Sequence, residues 1–257
     1  MKKSLLIFFT FLVLLVTSCI VFLTVNGYET DKFNNIIIKE IYKKEPILNI
    51  DLNKIKIKLN LKKFDLFLST EEPELTYANI NLNVSNIDIY LDFISLVRSK
   101  PHVNRIIVST NEIKIEDFKK LVARVKPSNI KSLILNNTNN GELKGKLDLS
   151  FNKKFILDNY KINGRVKNVN FNIDDDNKIN NTSFNFIADN RLIIINAIST
   201  NYKGIIIPNG SINVEKKDGY ILDGSIGTNI KLNELQIKKI FLKFINLKKQ
   251  KDKINII

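Results

Sequence analysis

The strongest constraint on this chain lies at its start. Met1-Lys2-Lys3 is followed by Ser4 to Val25, a run of apolar and small residues without a single charge. At 1.5 Å of rise per residue such a run makes a helix of about 33 Å, the thickness of a bilayer's hydrocarbon core. The two lysines before it stay on the cytoplasmic side by the positive-inside rule, so everything after the run is delivered to the far side. Val16-Thr17-Ser18-Cys19 is also similar to the signal for lipid attachment to a cysteine, and a cleaved secretory signal is a third reading. The apolar run continues past Cys19 through Ile20-Val21-Phe22-Leu23, which favours an uncleaved, single-pass anchor over residues 1–27.

After Asn26-Gly27 the pattern changes twice. Residues 28–46 read as a juxtamembrane helix and linker. Thr30 to Tyr42 places Phe33, Ile36, Ile37 and Ile41 at helical spacing, Thr30 or Asp31 serves as N-cap, and Pro46 ends the helix. From Ile47 the period becomes two, and residues 47–257 read as one β-rich body. Ile55, Ile57, Leu59 and Leu61 alternate with polar residues, as do Ile80, Leu82 and Val84. Ile87, Ile89 and Leu91 follow out of step, which predicts a bulge near Ser85-Asn86. Further strands are expected at Val103–Ser109, Ile130–Leu135, Leu143–Phe151, Tyr160–Ile173, Ser183–Ile187, Leu192–Ile198, Gly204–Val214 and Gly219–Ile230. Turns are expected at Asn139-Asn140-Gly141, Asp174–Asn177, Pro208-Asn209-Gly210 and Asp218-Gly219. Helices are expected at Leu91–Ser99, Glu116–Val125 and, basic and amphipathic, Leu232–Lys249. Strand-into-helix segments at Ile87–Val97, Ile113–Val122 and from Ile230 form a loose internal repeat. The fold class is therefore mainly β with short helices. It consists of an N-terminal transmembrane helix and an elongated, twisted antiparallel sheet, apolar on one face, as a groove or open half-barrel.

Chemistry is hard to find in this sequence. The single cysteine and single histidine, His102, leave no metal-binding cluster, and no cofactor is expected. Asp174-Asp175-Asp176 lacks the alternate ligand spacing and the glycine of a calcium loop. No glycine-rich phosphate loop, Gly-x-Ser-x-Gly elbow or His-Glu-x-x-His occurs, and the chain reads as non-enzymatic. The net charge of +14 accompanies a general excess of Lys, Asn and Ile. Its lysines are dispersed through the strands rather than gathered in one stripe, so nucleic acid is not an expected partner, whereas anionic lipid headgroups suit such a charge.

A family resemblance arises at this point. The lone N-terminal helix leads into alternating strands, then into Asp92-Phe93-Ile94-Ser95-Leu96-Val97, a polar turn, Val103–Val108 and Ile113-Lys114-Ile115-Glu116. With Lys126-Pro127-Ser128-Asn129 and Phe186-Ile187-Ala188-Asp189-Asn190, this resembles the AsmA-like envelope proteins, the AsmA/TamB/YhdP group, and the N-terminal region of the YhdP-like branch in particular. The resemblance covers about Leu5 to Ile230. It implies an inner-membrane anchor and a periplasmic β-groove that carries phospholipid acyl chains toward the outer membrane in support of envelope biogenesis. Bridging members are several times longer, so the chain reads either as the first segment of a longer protein or as a short member. The groove-lining candidates are the apolar alternates Ile55, Ile57, Leu59, Ile80, Leu82, Val84, Ile87, Ile89, Leu147, Leu149 and Phe151. A second reading is an envelope scaffold or assembly factor that docks a protein partner through exposed strand edges.

Overall fold

A computed structural model describes residues 2–32, 34–44, 46–61, 65–92, 102–124, 126–174, 177–217 and 219–228. The uncharged run forms helix α1 (Lys2–Val25), long and apolar enough to cross a membrane. The Asn26 and Gly27 amides close it on the Phe22 carbonyl at 2.9 and 3.0 Å. Gly27 adopts φ +73°, and a β-carbon there would lie 2.9 Å from the Lys56 and Lys58 side chains. Only glycine lets the chain turn this tightly from helix into sheet.

The expected juxtamembrane helix starts later than its spacing suggests. Thr30 ends strand β1 (Tyr28–Thr30) opposite Ile55, and α2 spans Asn34–Lys44. The Thr30 side chain still accepts a hydrogen bond from the Lys32 amide at 3.2 Å, but as part of a turn. Then come β2 (Leu48–Asp51), β3 (Ile55–Asn60), β4 (Asp65–Glu71), β5 (Glu74–Tyr77), β6 (Ile80–Leu82), β7 (Val84–Asp92), β8 (Val103–Thr110) and β9 (Ile113–Lys114). Helices α3 (Ile115–Val122) and α4 (Asn129–Asn137) follow, then β10 (Thr138–Asn139), β11 (Glu142–Phe151), β12 (Leu157–Asn172), β13 (Lys178–Asp189), β14 (Leu192–Tyr202), β15 (Ile205–Ile207), β16 (Asn209–Lys216) and β17 (Tyr220–Gly227).

These strands form one antiparallel sheet in the order β1-β3-β4-β7-β8-β11-β12-β13-β14-β16-β17, with β9, β10 and β15 added on β11, β12 and β14, and a separate three-stranded sheet, β2-β5-β6. The large sheet is mainly made of sequence neighbours, and it does not close on itself. Among the described residues, β1 lies at one edge and β17 at the other.

The bulge expected near Ser85-Asn86 is present as a register shift between Val84 and Asn86, and it puts Val84 and Ile87 on the same face. Three more irregularities sit in adjacent strands, each with a residue at positive φ: Asn168 (+54°), Asn181 (+51°) and Ala197 (+51°). Side chains take over where the ladder breaks. The Asn168 amide donates to Ser183 Oγ at 3.0 Å and the Asn181 amide to Asn170 Oδ1 at 2.9 Å. Bulges in register across neighbouring strands bend the whole sheet at one line.

Several expectations are corrected. Ile130–Leu135 lies in α4, not in a strand: Ser128 accepts the Lys131 amide at 3.1 Å as N-cap, and the helix follows. Asn209-Gly210 lies inside β16, and Pro208 only separates it from β15. The turn comes earlier, at Lys203 (φ +50°) and Gly204 (φ +83°). Leu91 and Asp92 end β7, while the rest of the expected helix to Ser99 lies outside the described residues, as does Leu232–Lys249. The repeat is therefore visible in only one complete copy, β9 running into α3 with Glu116 and Asp117 in its first turn.

Candidate functional site

Residues opposite one another in an antiparallel pair share a face, so the register sorts the large sheet into two surfaces. One is apolar over nearly its whole breadth. A single lane runs Ile55–Thr70–Ile87–Val108–Leu147–Ile162–Ala188–Ile193–Val214–Leu222, crossing ten strands. At about 4.8 Å per strand this lane is roughly 43 Å long. A parallel lane runs Ile57–Leu68–Ile89–Ile106–Leu149–Tyr160.

Among the described residues, protein covers this face in two patches. The small sheet and α2 lay Ile50, Leu52 and Leu75, with Ile37, Ile38, Ile41, Leu48 and Leu82, over Ile55, Val84 and Ile87. Leu68, Ile89, Ile106 and Val108 pack against that core. Farther along, Ile115 of α3 seals Val166 and Val169 with Leu143, Phe171, Phe184 and Phe186. Val169 is 1% exposed, because the Asn168 bulge returns it to the face of Val166. Between and beyond these patches Leu149, Ile162, Ile193, Ile195, Ile212 and Val214 are half-buried, and on the edge strand Leu222 is 70% exposed.

The structure thus divides the eleven predicted groove residues. Ile57, Leu59, Leu147, Leu149 and Phe151 lie half-buried on the apolar face, with Ile89 at the margin of the first patch. Ile55, Val84 and Ile87 belong to closed core instead, since α2 and the small sheet cover them. Ile80 and Leu82 belong to the covering sheet: Asn83 separates them from β7, held by the Asn111 amide at 2.9 Å on its carbonyl. Alternation across Asn83 looked like one strand because period alone does not say which sheet a strand joins. Sequence reasoning missed the open residues of β14, β16 and β17, although Ile193, Ile195, Ile212, Val214 and Leu222 carry the same alternation.

The other face is mostly polar and charged, with Ile107, Ile187 and Ile194 among its apolar members. Phe67 stacks on Tyr90 with centroids 5.0 Å apart, and the Arg105 guanidinium lies 5.5 Å from the Tyr90 centroid. Arg105 Nε donates to Asp148 Oδ1 at 2.7 Å, and its Nη2 donates to Oδ2. That bidentate hydrogen bonding raises the guanidinium's pKa, while burial first and the charge of Asp88 next push the Tyr90 phenol up. At the rim near β1 a cleft of about 530 Å³ mixes Glu29, Asp31 and Glu71 with Lys54 and Lys56. Glu29 pairs with Lys56 at 3.0 Å, which lowers the carboxyl's pKa and raises the ammonium's. Among the described residues no group of three His, Cys, Asp or Glu is placed to hold a metal ion. What the arrangement offers is surface: a broad apolar face that, among the described residues, is closed by protein in two places and single-layered elsewhere.

Comparison with protein-family models, curated proteins and solved structures finds no match.

Proposed function

We propose that this chain is a membrane-anchored, AsmA-like envelope protein that is not an enzyme and that holds phospholipid acyl chains on the open part of its apolar face. In this reading α1 anchors it in the inner membrane, the body lies in the periplasm, and the bound lipid is in passage between inner and outer membrane. The observation that carries the reading is the lane from β3 to β17, apolar at every position but Thr70, which among the described residues outruns the two protein patches that cover it. A contiguous apolar face of this kind calls for something to cover it. Acyl chains meet the requirement at about 0.8 kcal/mol per buried CH₂. They also need no directional partner, which suits a face lined by Ile, Val, Leu and Phe.

A photo-reactive phenylalanine analogue tests it. Placed at Ile195, on the open apolar face, it should cross-link phospholipid in cells. Placed at Asn213, on the polar face, it should not. Cross-links from Ile195 only to protein, or equal lipid labelling from both positions, would refute the reading.

The second reading, a scaffold that docks a protein partner by strand addition, is favoured by β17 alone. All eight of its residues are exposed and its outer backbone edge has no neighbouring strand among the described residues.

A further inference from the structure

Two hairpins on one rim of the large sheet carry the same exposed sequence. The β11–β12 connection reads Lys153-Lys154-Phe155-Ile156-Leu157-Asp158. The β16–β17 hairpin reads Lys216-Lys217, then Asp218-Gly219, then Tyr220-Ile221-Leu222-Asp223. Each puts paired lysines ahead of an aromatic, an isoleucine and a leucine, and all six apolar side chains are exposed, from 43% at Phe155 to 76% at Tyr220.

The first tip is held by its own local hydrogen bonds. Asn152 Oδ1 accepts from the Lys154 and Ile156 amides at 2.9 and 3.1 Å, and the Phe155 amide donates to the Asn152 carbonyl at 2.9 Å. Phe155 is held at φ +58°, a conformation costly for a side chain of this size, with its ring stacked 4.7 Å from Phe151. The second tip is closed by the Lys217 amide on the Gly219 carbonyl at 3.0 Å.

The membrane helix leaves from the same rim. Gly27, two residues past α1, packs on Lys58. Lys58 shares a row with Phe67, Tyr90, Arg105 and Ser150, one residue short of the end of β11. Tyr220 likewise sits at the start of β17, opposite Lys216 at the end of β16. One rim therefore carries the exit of the spanning helix and two tips that set lysines beside aromatic and aliphatic side chains.

We infer that this rim lies on the bilayer: the tips at Phe155–Leu157 and Tyr220–Leu222 enter the headgroup layer while Lys153, Lys154 and Lys216 meet anionic phosphates, Lys217 being paired with Glu215 at 3.2 Å. Aromatic rings at headgroup depth with lysines beside them are the chemistry of a membrane interface. Anchored at one end and seated at two further points, the sheet lies along the membrane, and its apolar face opens beside the lipid surface. The inference rests on α1 spanning a bilayer and not on lipid occupying the face.

The chain contains no tryptophan, so single reporters can be introduced into the full chain and reconstituted in phosphatidylethanolamine–phosphatidylglycerol vesicles. Phe155→Trp and Tyr220→Trp should emit to the blue of Ile206→Trp, an exposed site on the opposite rim, in β15. They should also lose most of their intensity when the lipid is brominated near the headgroup end of its acyl chains. Water-like, iodide-accessible emission from either tip overturns the inference, even if the other is shielded. A third reporter, Ile195→Trp, separates the two proposals. Quenching there without quenching at the tips overturns the rim contact and leaves lipid loading standing. Quenching at the tips alone does the reverse.

Discussion

Ile55 and Leu222 share one lane of one sheet face, yet the structure assigns them opposite energetic roles. Ile55 is 3% exposed under α2 and the small sheet, whereas Leu222 is 70% exposed on the edge strand. Ile55→Ala deletes three buried carbons, worth about 2.4 kcal/mol at ~0.8 kcal/mol each. The residual cavity, about 50 Å³ at ~24 cal/mol per Å³, adds about 1 kcal/mol, for a total of roughly 3.5 kcal/mol. Leu222→Ala deletes carbons that already face outward, and its cost should stay within about 0.5 kcal/mol. The assay is urea unfolding of the full chain in detergent micelles, followed by far-UV circular dichroism. With a slope of about 2–3 kcal/mol per molar, Ile55→Ala should lower the midpoint by about 1–2 M and Leu222→Ala should barely move it. Equal shifts would mean that β17 carries core, and the division of the face into closed and open parts would be wrong.

Other perturbations probe the frame that holds the face. Gly164→Ala should destabilise by about 1–3 kcal/mol in thermal unfolding, because its β-carbon would lie 2.5 Å from the Lys144 carbonyl and 2.8 Å from the Phe186 ring. Asn152→Ala should cost about 1 kcal/mol by removing the acceptor for the Lys154 and Ile156 amides, read as faster local amide exchange at that tip. Asp189 is held below the ordinary carboxylate range by the Arg191 and Leu192 amides, and Glu112 by Lys167. Depressed folded values stabilise above the unfolded pKa, so their contribution should be complete at neutral pH. It should be lost as pH falls below about 4 through the folded values. Urea midpoints at pH 6 and pH 3 measure that loss, and Asp189→Asn should shrink the difference.

Much of this architecture was legible because alternation is a local property. Lys56 and Lys58 between Ile55, Ile57 and Leu59 declare a two-faced strand, and the slip from Val84 to Ile87 declares a bulge. The helix at Asn129–Asn137 was legible too, but through a different signal: Ser128 after Pro127 is an N-cap, and Ile130, Leu133 and Ile134 have helical spacing. Reading Ile130–Leu135 as a strand ignored that cap. What alternation cannot carry is pairing, which is non-local. Nothing within Ile80–Val84 says that Asn83 divides two sheets, or that α2 folds back over Ile55 and Ile87. Which part of the apolar face is core and which is open is decided by those distant covers. Candidates chosen by period alone therefore mixed Ile55, Val84 and Ile87 with Leu147 and Leu149.

Native mass spectrometry of the full chain, released gently from its detergent micelle, measures directly whether lipid occupies the open part of the face. The chain should carry added masses matching intact phospholipids. Those masses should disappear in an Ile195→Glu/Ile212→Glu variant that keeps the circular dichroism of the parent, because a charge on each of two paired strands excludes an acyl chain. A folded parent chain with no bound lipid would contradict the account, as would a variant that retains its lipid in full.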